Sequence, residues 1–464
     1  MTPPSVVIVG GGISGLTAAY ELQRQGVPFV LLERSPVCGG VVRTEHVDGY
    51  TIDAGPDALL TQKPAAIDLC RELGLGERLR PQLARTTFVV RRGALCRLPE
   101  ASVLGIPTRW KPFVTTRAFS WRGKLRMAAE AALPRGSSGD DESIAAFIGR
   151  RFGREAVDYL AEPLLAGIHG GDPERLSMRT AFPRFLELEE KYGSVIAGLR
   201  KMRVPKSPPG AASPFVALPG GMGELTGALL KAIAPASIRA GVGVEAIAAV
   251  PGQGRLLTLD DGSQLMAPVL LLATPPAVTA TLVKTADAEL ASLCARIRSA
   301  SVVTIALGYP RWAIPYPMNG AGVVVPRREG MSLRALSWVS SKWAGRAPAG
   351  YVLLRAYLGG IADPGAIDRT DEDLVAAARS DVVSLLGATG QPTLVRIYRW
   401  RNATPQLEVG HGALMEQIER RLADRPGLLL TASGFRGTGI ADCVTDARRQ
   451  AARIASARAV ALSA

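Results

Sequence analysis

Four consecutive apolar positions, Val6-Val7-Ile8-Val9, open the ordered pattern of the chain and predict a strand buried in a parallel sheet. The run breaks at Gly10-Gly11-Gly12-Ile13-Ser14-Gly15, after which Leu16, Ala19, Tyr20 and Leu22 recur at helical spacing until Gly26, a C-terminal stop. A second apolar run, Phe29–Leu32, predicts another strand that ends at Glu33. Residues 86–99 read as strand, Arg91-Arg92-Gly93 turn and strand. Helical spacing returns at Ile144, Phe147 and Ile148, and a second helix is predicted over Arg154–Leu160, with Pro163 ending or kinking it. Ile238–Ile247 reads as strand, and a last helix is predicted over Asp442–Leu462.

The first fifty residues carry a chemical signal. Gly10, Gly12 and Gly15 fill a G-x-G-x-x-G template between strand and helix, and an acid follows at Glu33. The first glycine permits a tight turn, the second lets a pyrophosphate approach the backbone, and the third lets helix pack on strand. The phosphate charge then rests on the helix N-terminus at Ile13 and Ser14, while Glu33 accepts from a ribose hydroxyl. A glycine-rich turn without ligand is the bland alternative, but strand, helix, second strand and acid all fall in register.

Composition narrows the class. The 464 residues are 47% hydrophobic and 21% charged, which is globular composition, and 55 Lys+Arg against 41 Asp+Glu give a net charge of +14. That excess favours an acidic partner. Five scattered cysteines without C-x-x-C and three histidines signal no disulfide framework and no metal site. Neither a signal peptide nor a bilayer-spanning run is found, so a cytoplasmic protein, soluble or peripherally membrane-associated, is expected. Arg109, Lys111, Arg117, Arg122, Lys124 and Arg126 interleave with Trp110, Phe113, Phe119 and Trp121, and no acid lies between 109 and 126. Such a stretch suits an anionic membrane or the mouth of an acidic-substrate site; its alternative is a solvated basic face with aromatics in the core. Nucleic acid is not expected, because no recognition motif accompanies the charge. Nothing in the pattern sets an oligomeric state.

Two resemblances extend this reading. Glu33-Arg34, then Gly39-Gly40-Val41-Val42-Arg43-Thr44, then Asp53-Ala54-Gly55-Pro56-Asp57 resemble the FAD signature of amine-oxidase-like flavoproteins. By that resemblance Arg34, Gly40, Arg43, Gly55, Pro56, Asp57 and Ala58 help complete the pyrophosphate and flavin pocket. No second G-x-G-x-x-G exists for a nicotinamide module, so oxygen is the simplest electron acceptor.

The run Leu164–Ser177, with Phe182-Pro183 and Glu189–Ser194 after it, resembles the FAD-dependent protoporphyrinogen oxidase family of haem biosynthesis. Leu218–Met222, Leu271–Ala277, Tyr398–Trp400 with Ala403–Gln406 and Gly410-His411, and Gly434–Val444 continue the likeness nearly end to end. It implies an α/β fold: a Rossmann-like FAD-binding domain (1–80, 222–274, 401–464), a mixed-sheet substrate domain (81–99, 186–221, 275–400) and an inserted helical, membrane-associated subdomain (100–185). Gly437, Thr438, Gly439 and Ile440 would close the flavin site, Val244 would offer its backbone to the adenine, and Trp400 would stand beside the cofactor or in the core. Cys443 does not match a flavinylated cysteine, so FAD is expected to be non-covalent.

The family removes six electrons from a porphyrinogen in three flavin cycles, with oxygen as acceptor and peroxide as by-product. Gly167 matches a glycine whose carbonyl lies near the substrate ring, or is a simple tight turn. Val324 would wall the slot or belong to the core. Thr87 stands where many members carry a propionate-pairing arginine, and Lys63, Arg85 and Arg91 with the 109–126 stretch would replace it as a broad positive mouth. Ser102–Thr108 resembles the branch acting on coproporphyrinogen III, so that anionic substrate is favoured over protoporphyrinogen IX. The alternatives are a flavin amine oxidase on the same fold and a non-catalytic flavin-binding tetrapyrrole carrier.

Overall fold

A computed structural model describes residues 5–99, 102–103, 106–107, 110–136, 141–201 and 213–463. The predicted Val6–Val9 run lies at the centre of a five-stranded sheet ordered Ile238–Ala240, Phe29–Glu33, Val6–Val9, Val269–Leu272, Leu428–Leu430. Every pair in it is parallel, which is why these strands are apolar on both faces. One face packs on the helices Ile13–Arg24, Gly223–Ala232 and Ile440–Ser463 through Leu16, Leu22, Leu225, Leu229, Val444 and Ala447. The other packs on Leu257, Leu290 and Ile418.

A seven-stranded mixed sheet forms the second layer, ordered Leu394–Pro405, Ser299–Pro310, Tyr351–Gly359, Ala335–Trp338, Gly322–Val324, Thr87–Arg91, Ala94–Arg97. One of its faces is closed by Leu374, Ala378 and Val382 of the helix Asp371–Leu386. The opposite face looks toward the glycine loops and the helical subdomain. Period-2 alternation sorts the two: Phe88 and Val90 face the helix, whereas Val89 faces the subdomain.

The helical subdomain has its own core of Phe147, Phe152, Leu160, Leu165, Phe185 and Leu199. Arg151 and Glu130 form a fully buried ion pair inside it. Core membership moves two of the boundaries read from the sequence. Pro183–Tyr192 and Val195–Lys201 pack with the helical core, so that subdomain extends past 185. Pro276–Val283 and Ala288–Ala295 pack against the parallel sheet, so the dinucleotide layer extends past 274. In both cases the apolar stripe shows a buried helix without naming the layer that buries it.

The helix expected to stop near Leu160 continues. Arg154–Ala156 passes through a π-helical stretch, Val157–Ala161, into Glu162–His169 with Pro163 in the first turn. The wider turn accommodates a residue that has no N–H to donate. Arg109, and Leu104, Gly105 and Thr108 of the Ser102–Thr108 run, lie outside the described residues.

Candidate active site

The three glycines of the first loop are required for three different reasons. At Gly10, where φ is 108°, a Cβ would sit 2.7 Å from the Ala273 carbonyl oxygen. At Gly15 it would sit 1.9 Å from the Gly10 oxygen, so the helix could not close on the strand. At Gly12 a Cβ would meet no heavy atom within 4 Å among the described residues, its chain neighbours and own helix backbone apart. That residue caps the helix Ile13–Arg24 without any side-chain partner, leaving the first amides and the positive dipole end open. The site therefore has the form that accepts a pyrophosphate. Glu33 accepts from the Gly11 amide at 2.6 Å and the Ser35 amide at 2.8 Å, which fixes the loop. Gly39 donates to the Gly11 oxygen at 2.8 Å, and a Cβ at Gly40 would lie 3.2 Å from the Gly12 Cα, so the second glycine run lies against the first. Arg34 donates to the Val244 carbonyl at 3.1 Å, which gives that carbonyl a partner within the chain. Arg43 is exposed at the rim.

The Gly437–Ile440 turn forms the start of the last helix. Asp442 accepts from the Gly439 amide at 3.1 Å and pairs with Lys63 at 2.7 Å. Gly437 (φ 148°) has no room for a side chain, since a Cβ would lie 2.5 Å from that of Asp442. Thr438 and Ile440 are half-buried beside it. Lys63 is thus tied to this turn, and the broad mouth expected of Lys63, Arg85 and Arg91 together is not formed. Cys443 is buried, with its thiol against Ser14 and pushed up to about 12 by that burial.

Register on the mixed sheet builds the facing wall. Thr87, Gly322, Ser337 and Arg355 align in one row, and Val89, Val324, Ala335, Tyr357 and Thr304 in the next. Gly167 lies over the second row: a Cβ there would be 2.9 Å from that of Ala335 and 3.6 Å from Val324 Cγ1. Close packing of the helix on this wall is what its missing side chain permits. Sheet side chains also suspend the loop at 54–57. Trp400 Nε1 and Thr304 Oγ1 donate to the Ala54 carbonyl at 3.0 and 3.2 Å, and Arg355 donates to the Gly55 carbonyl at 2.5 Å. Lys342 Nζ lies 2.6 Å from Asp57 Oδ2, with Trp343 Nε1 at 3.5 Å. Burial would raise the Asp57 carboxyl, but Lys342 and Arg355 outweigh it and hold the group well below the carboxylate range. Pro56 and Ala58 are half-buried in the same loop.

Ser337, Lys342, Arg355 and Tyr357 escaped the sequence reading. The signal was present in Tyr351–Gly359, where an arginine and a tyrosine two apart interrupt an otherwise apolar central strand.

Arg91 does not join this wall. It pairs with Glu155 at 2.8 Å, donates to the Arg117 carbonyl at 3.1 Å and lies 5.1 Å over the Tyr159 ring. There it lines a surface cleft of about 580 Å³ with Arg92, Arg154, Asp158 and Arg328, and fully buried Val89 separates it from Thr87 along the strand. Arg85 is exposed two residues before Thr87. The basic stretch divides likewise. Lys124 is buried and donates to the Val114 carbonyl at 2.6 Å, and Arg126 donates to the Arg150 and Arg151 carbonyls at 2.6 and 2.9 Å. Lys111, Arg117 and Arg122 remain exposed.

Comparison with known proteins follows this geometry. Residues 13–455 match the family described as flavin containing amine oxidoreductase. The chain is 34% identical over 454 residues to the coproporphyrinogen III oxidase of Bacillus subtilis (strain 168), covering 95% of each. It is 31% identical over 456 residues to the coproporphyrinogen III oxidase of Staphylococcus aureus, covering 96% of this chain and 97% of the relative. A crystal structure of a candidate protoporphyrinogen oxidase from Exiguobacterium superposes with a TM-score of 0.87 at 30% identity, over 98% of this chain and 99% of that one.

Proposed function

The chain belongs to the flavin-containing amine oxidoreductase family, and from that premise we propose that it is an FAD-dependent, oxygen-using porphyrinogen oxidase. It takes six electrons and six protons from coproporphyrinogen III in preference to protoporphyrinogen IX, in three two-electron turns, and reduces three oxygen molecules to peroxide. FAD is held without a covalent bond and supplies the two-electron acceptor for each turn. Nucleic acid plays no part, and contact with a membrane is peripheral.

The observation that carries this reading is a shared wall. The sheet face that presents Val324 and Ala335 beneath Gly167 is the face whose Thr304, Arg355 and Trp400 hold the 54–57 loop. The chain's own tasks are binding and positioning. The open helix start at Gly12 would hold the phosphates, and Glu33, which holds the loop in shape through the Gly11 and Ser35 amides, would accept from a ribose hydroxyl. Val324 and Ala335 are covered by Gly167, so a flat macrocycle would be oriented beside them, where Thr87, Ser337 and Tyr357 of the same face are half-buried, and such positioning is where most of the rate for this kind of reaction comes from.

An amine substrate fits less well. Lys342 is neutralised by Asp57, and buried Arg355 leaves the wall with surplus positive charge, which repels an ammonium group and attracts carboxylates. Anaerobic mixing of the yellow protein with coproporphyrinogen III, protoporphyrinogen IX and a panel of amines tests the reading. Bleaching by the porphyrinogens, fastest with coproporphyrinogen III, and three peroxides per porphyrin once oxygen is admitted are expected. Bleaching by amines alone would replace this reading, and binding of porphyrin without bleaching would make the chain a carrier.

A further inference from the structure

Cations taken out of water require a counter-charge or a full set of acceptors. Three cationic side chains stand behind the 54–57 loop, and two of them have one. Lys342 meets Asp57 at 2.6 Å, and Arg346 meets Asp53 at 3.0 Å. Arg355 is only 6% exposed, yet among the described residues it forms no ion pair. Its Nη2 donates to the Gly55 carbonyl, and its Nε has no hydrogen-bond partner among the described residues. The guanidinium lies 4.8 Å over the Tyr357 ring, which sets its plane.

Directly across the ladder from Arg355 is Ser337, whose Oγ is buried and likewise has no partner among the described residues. Both belong to the row beside Val324 and Ala335, so unused donors lie next to the part of the face that Gly167 covers, where the macrocycle is proposed to lie. A planar guanidinium edge beside a hydroxyl suits a carboxylate, which it binds with charge-assisted, directional hydrogen bonds. An anion reaching so enclosed a place would arrive on a bound ligand.

We infer that Arg355 and Ser337 form the seat for one propionate carboxylate of the porphyrinogen. This rests on the proposed function and adds to it a specificity-determining pair outside the Lys63, Arg85 and Arg91 set. The bound carboxylate supplies the direct ion pair that Arg355 lacks among the described residues, where nearby Asp57 is already paired with Lys342, and it fixes the rotation of the macrocycle about its own axis.

The test measures binding of coproporphyrin III to the flavin-loaded protein by fluorescence quenching, against its uncharged tetramethyl ester in the same detergent. Arg355→Gln is expected to weaken the acid by about ten-fold or more and leave the ester within about two-fold. Arg355→Lys should retain part of the difference, because it keeps the charge and loses the fork. Ser337→Ala, which leaves the Gly55 contact intact, should weaken the acid about three-fold and not the ester; it decides the matter if the arginine variants lose flavin. Equal loss for acid and ester, or no loss for the acid, would overturn the seat. A shift in flavin potential without loss of acid binding would also overturn it, by assigning the charge to the cofactor. If the wild type binds and oxidises the porphyrinogen while the variants behave like it, the seat fails and the function stands. If the wild type binds neither ligand, both fail.

Discussion

Asp53 and Arg346 meet at 3.0 Å with side chains 3% and 1% exposed, joining the strand Tyr50–Asp53 to the loop beyond the mixed sheet. The same carboxylate accepts from Thr44 Oγ1 at 2.6 Å and the Met222 amide at 2.8 Å, while Arg346 donates to the Leu218 carbonyl at 3.1 Å. Four chain segments converge on one buried pair, which fixes the floor under the 54–57 loop. Arg346→Met leaves Asp53 buried without its counter-charge and should destabilise the fold by about 3–5 kcal/mol. Adding Asp53→Asn should recover part of that loss, as removal of both charges leaves none unpaired. Urea denaturation of the single and double variants reads this directly, and equal stability for Arg346→Met and the wild type would contradict it.

Gly12 and Gly15 separate cofactor space from packing space. A Cβ at Gly12 would meet nothing within 4 Å among the described residues beyond its own neighbours, and Gly12→Val should leave a folded chain that no longer retains FAD. At Gly15 a Cβ would lie 1.9 Å from the Gly10 oxygen, so Gly15→Ala should lower the melting temperature even of flavin-free protein. Flavin content and melting temperature, measured on both variants, should split in opposite ways. Loss of the apo fold in Gly12→Val would show that the space is structural.

What the sequence made legible was local. The Val6–Glu33 unit follows from apolar runs, glycine spacing and one acid, all inside a few turns of chain, and the structure has that strand–turn–helix–strand form. Arginines were harder to read, because their meaning depends on distant partners. Arg91 is satisfied by Glu155, 64 positions away, whereas Arg355 in a similar strand forms no ion pair among the described residues. Charge counting cannot separate a paired from an unpaired cation. Phe185 and Leu199 likewise announce burial but not the layer that buries them, which in the structure is the helical core.

His411 links pH to the closing turn. Its Nε2 lies 2.8 Å from the Phe435 carbonyl, which only accepts, so that nitrogen carries the proton of a neutral ring. Burial lowers its pKa from the ordinary value of about 6.5, and its place in the first turn of the helix His411–Ala423 also disfavours a cation. A depressed folded-state pKa means the stabilisation is present above pH ~6.5 and is lost as pH falls through the folded value. Melting temperature should therefore drop between pH 7 and 5, with flavin released early, since Phe435 lies between Gly434 and Gly437. His411→Gln should flatten that slope. A wild-type profile level across this range would exclude the linkage.

The helix Trp121–Ala128 carries the last expectation. Trp121 and Leu125 are one turn apart and 66% and 70% exposed, and Val114 nearby is 44% exposed. Lys111, Arg117 and Arg122 are exposed in the same stretch, so apolar and cationic groups share one surface. Burying each of the two large side chains in a lipid interface contributes about 1.5–3 kcal/mol, which exceeds what one exposed charge supplies. Charge alone therefore does not account for the contact expected here. Sedimentation with phosphatidylglycerol vesicles should exceed that with phosphatidylcholine and fall with salt, as charges are screened beyond ~8 Å at physiological ionic strength. Trp121→Ser with Leu125→Ser should reduce binding about ten-fold or more at every salt concentration, whereas Arg117→Gln with Arg122→Gln should chiefly flatten the salt dependence. If the apolar pair can be removed without effect, the surface is a solvated face.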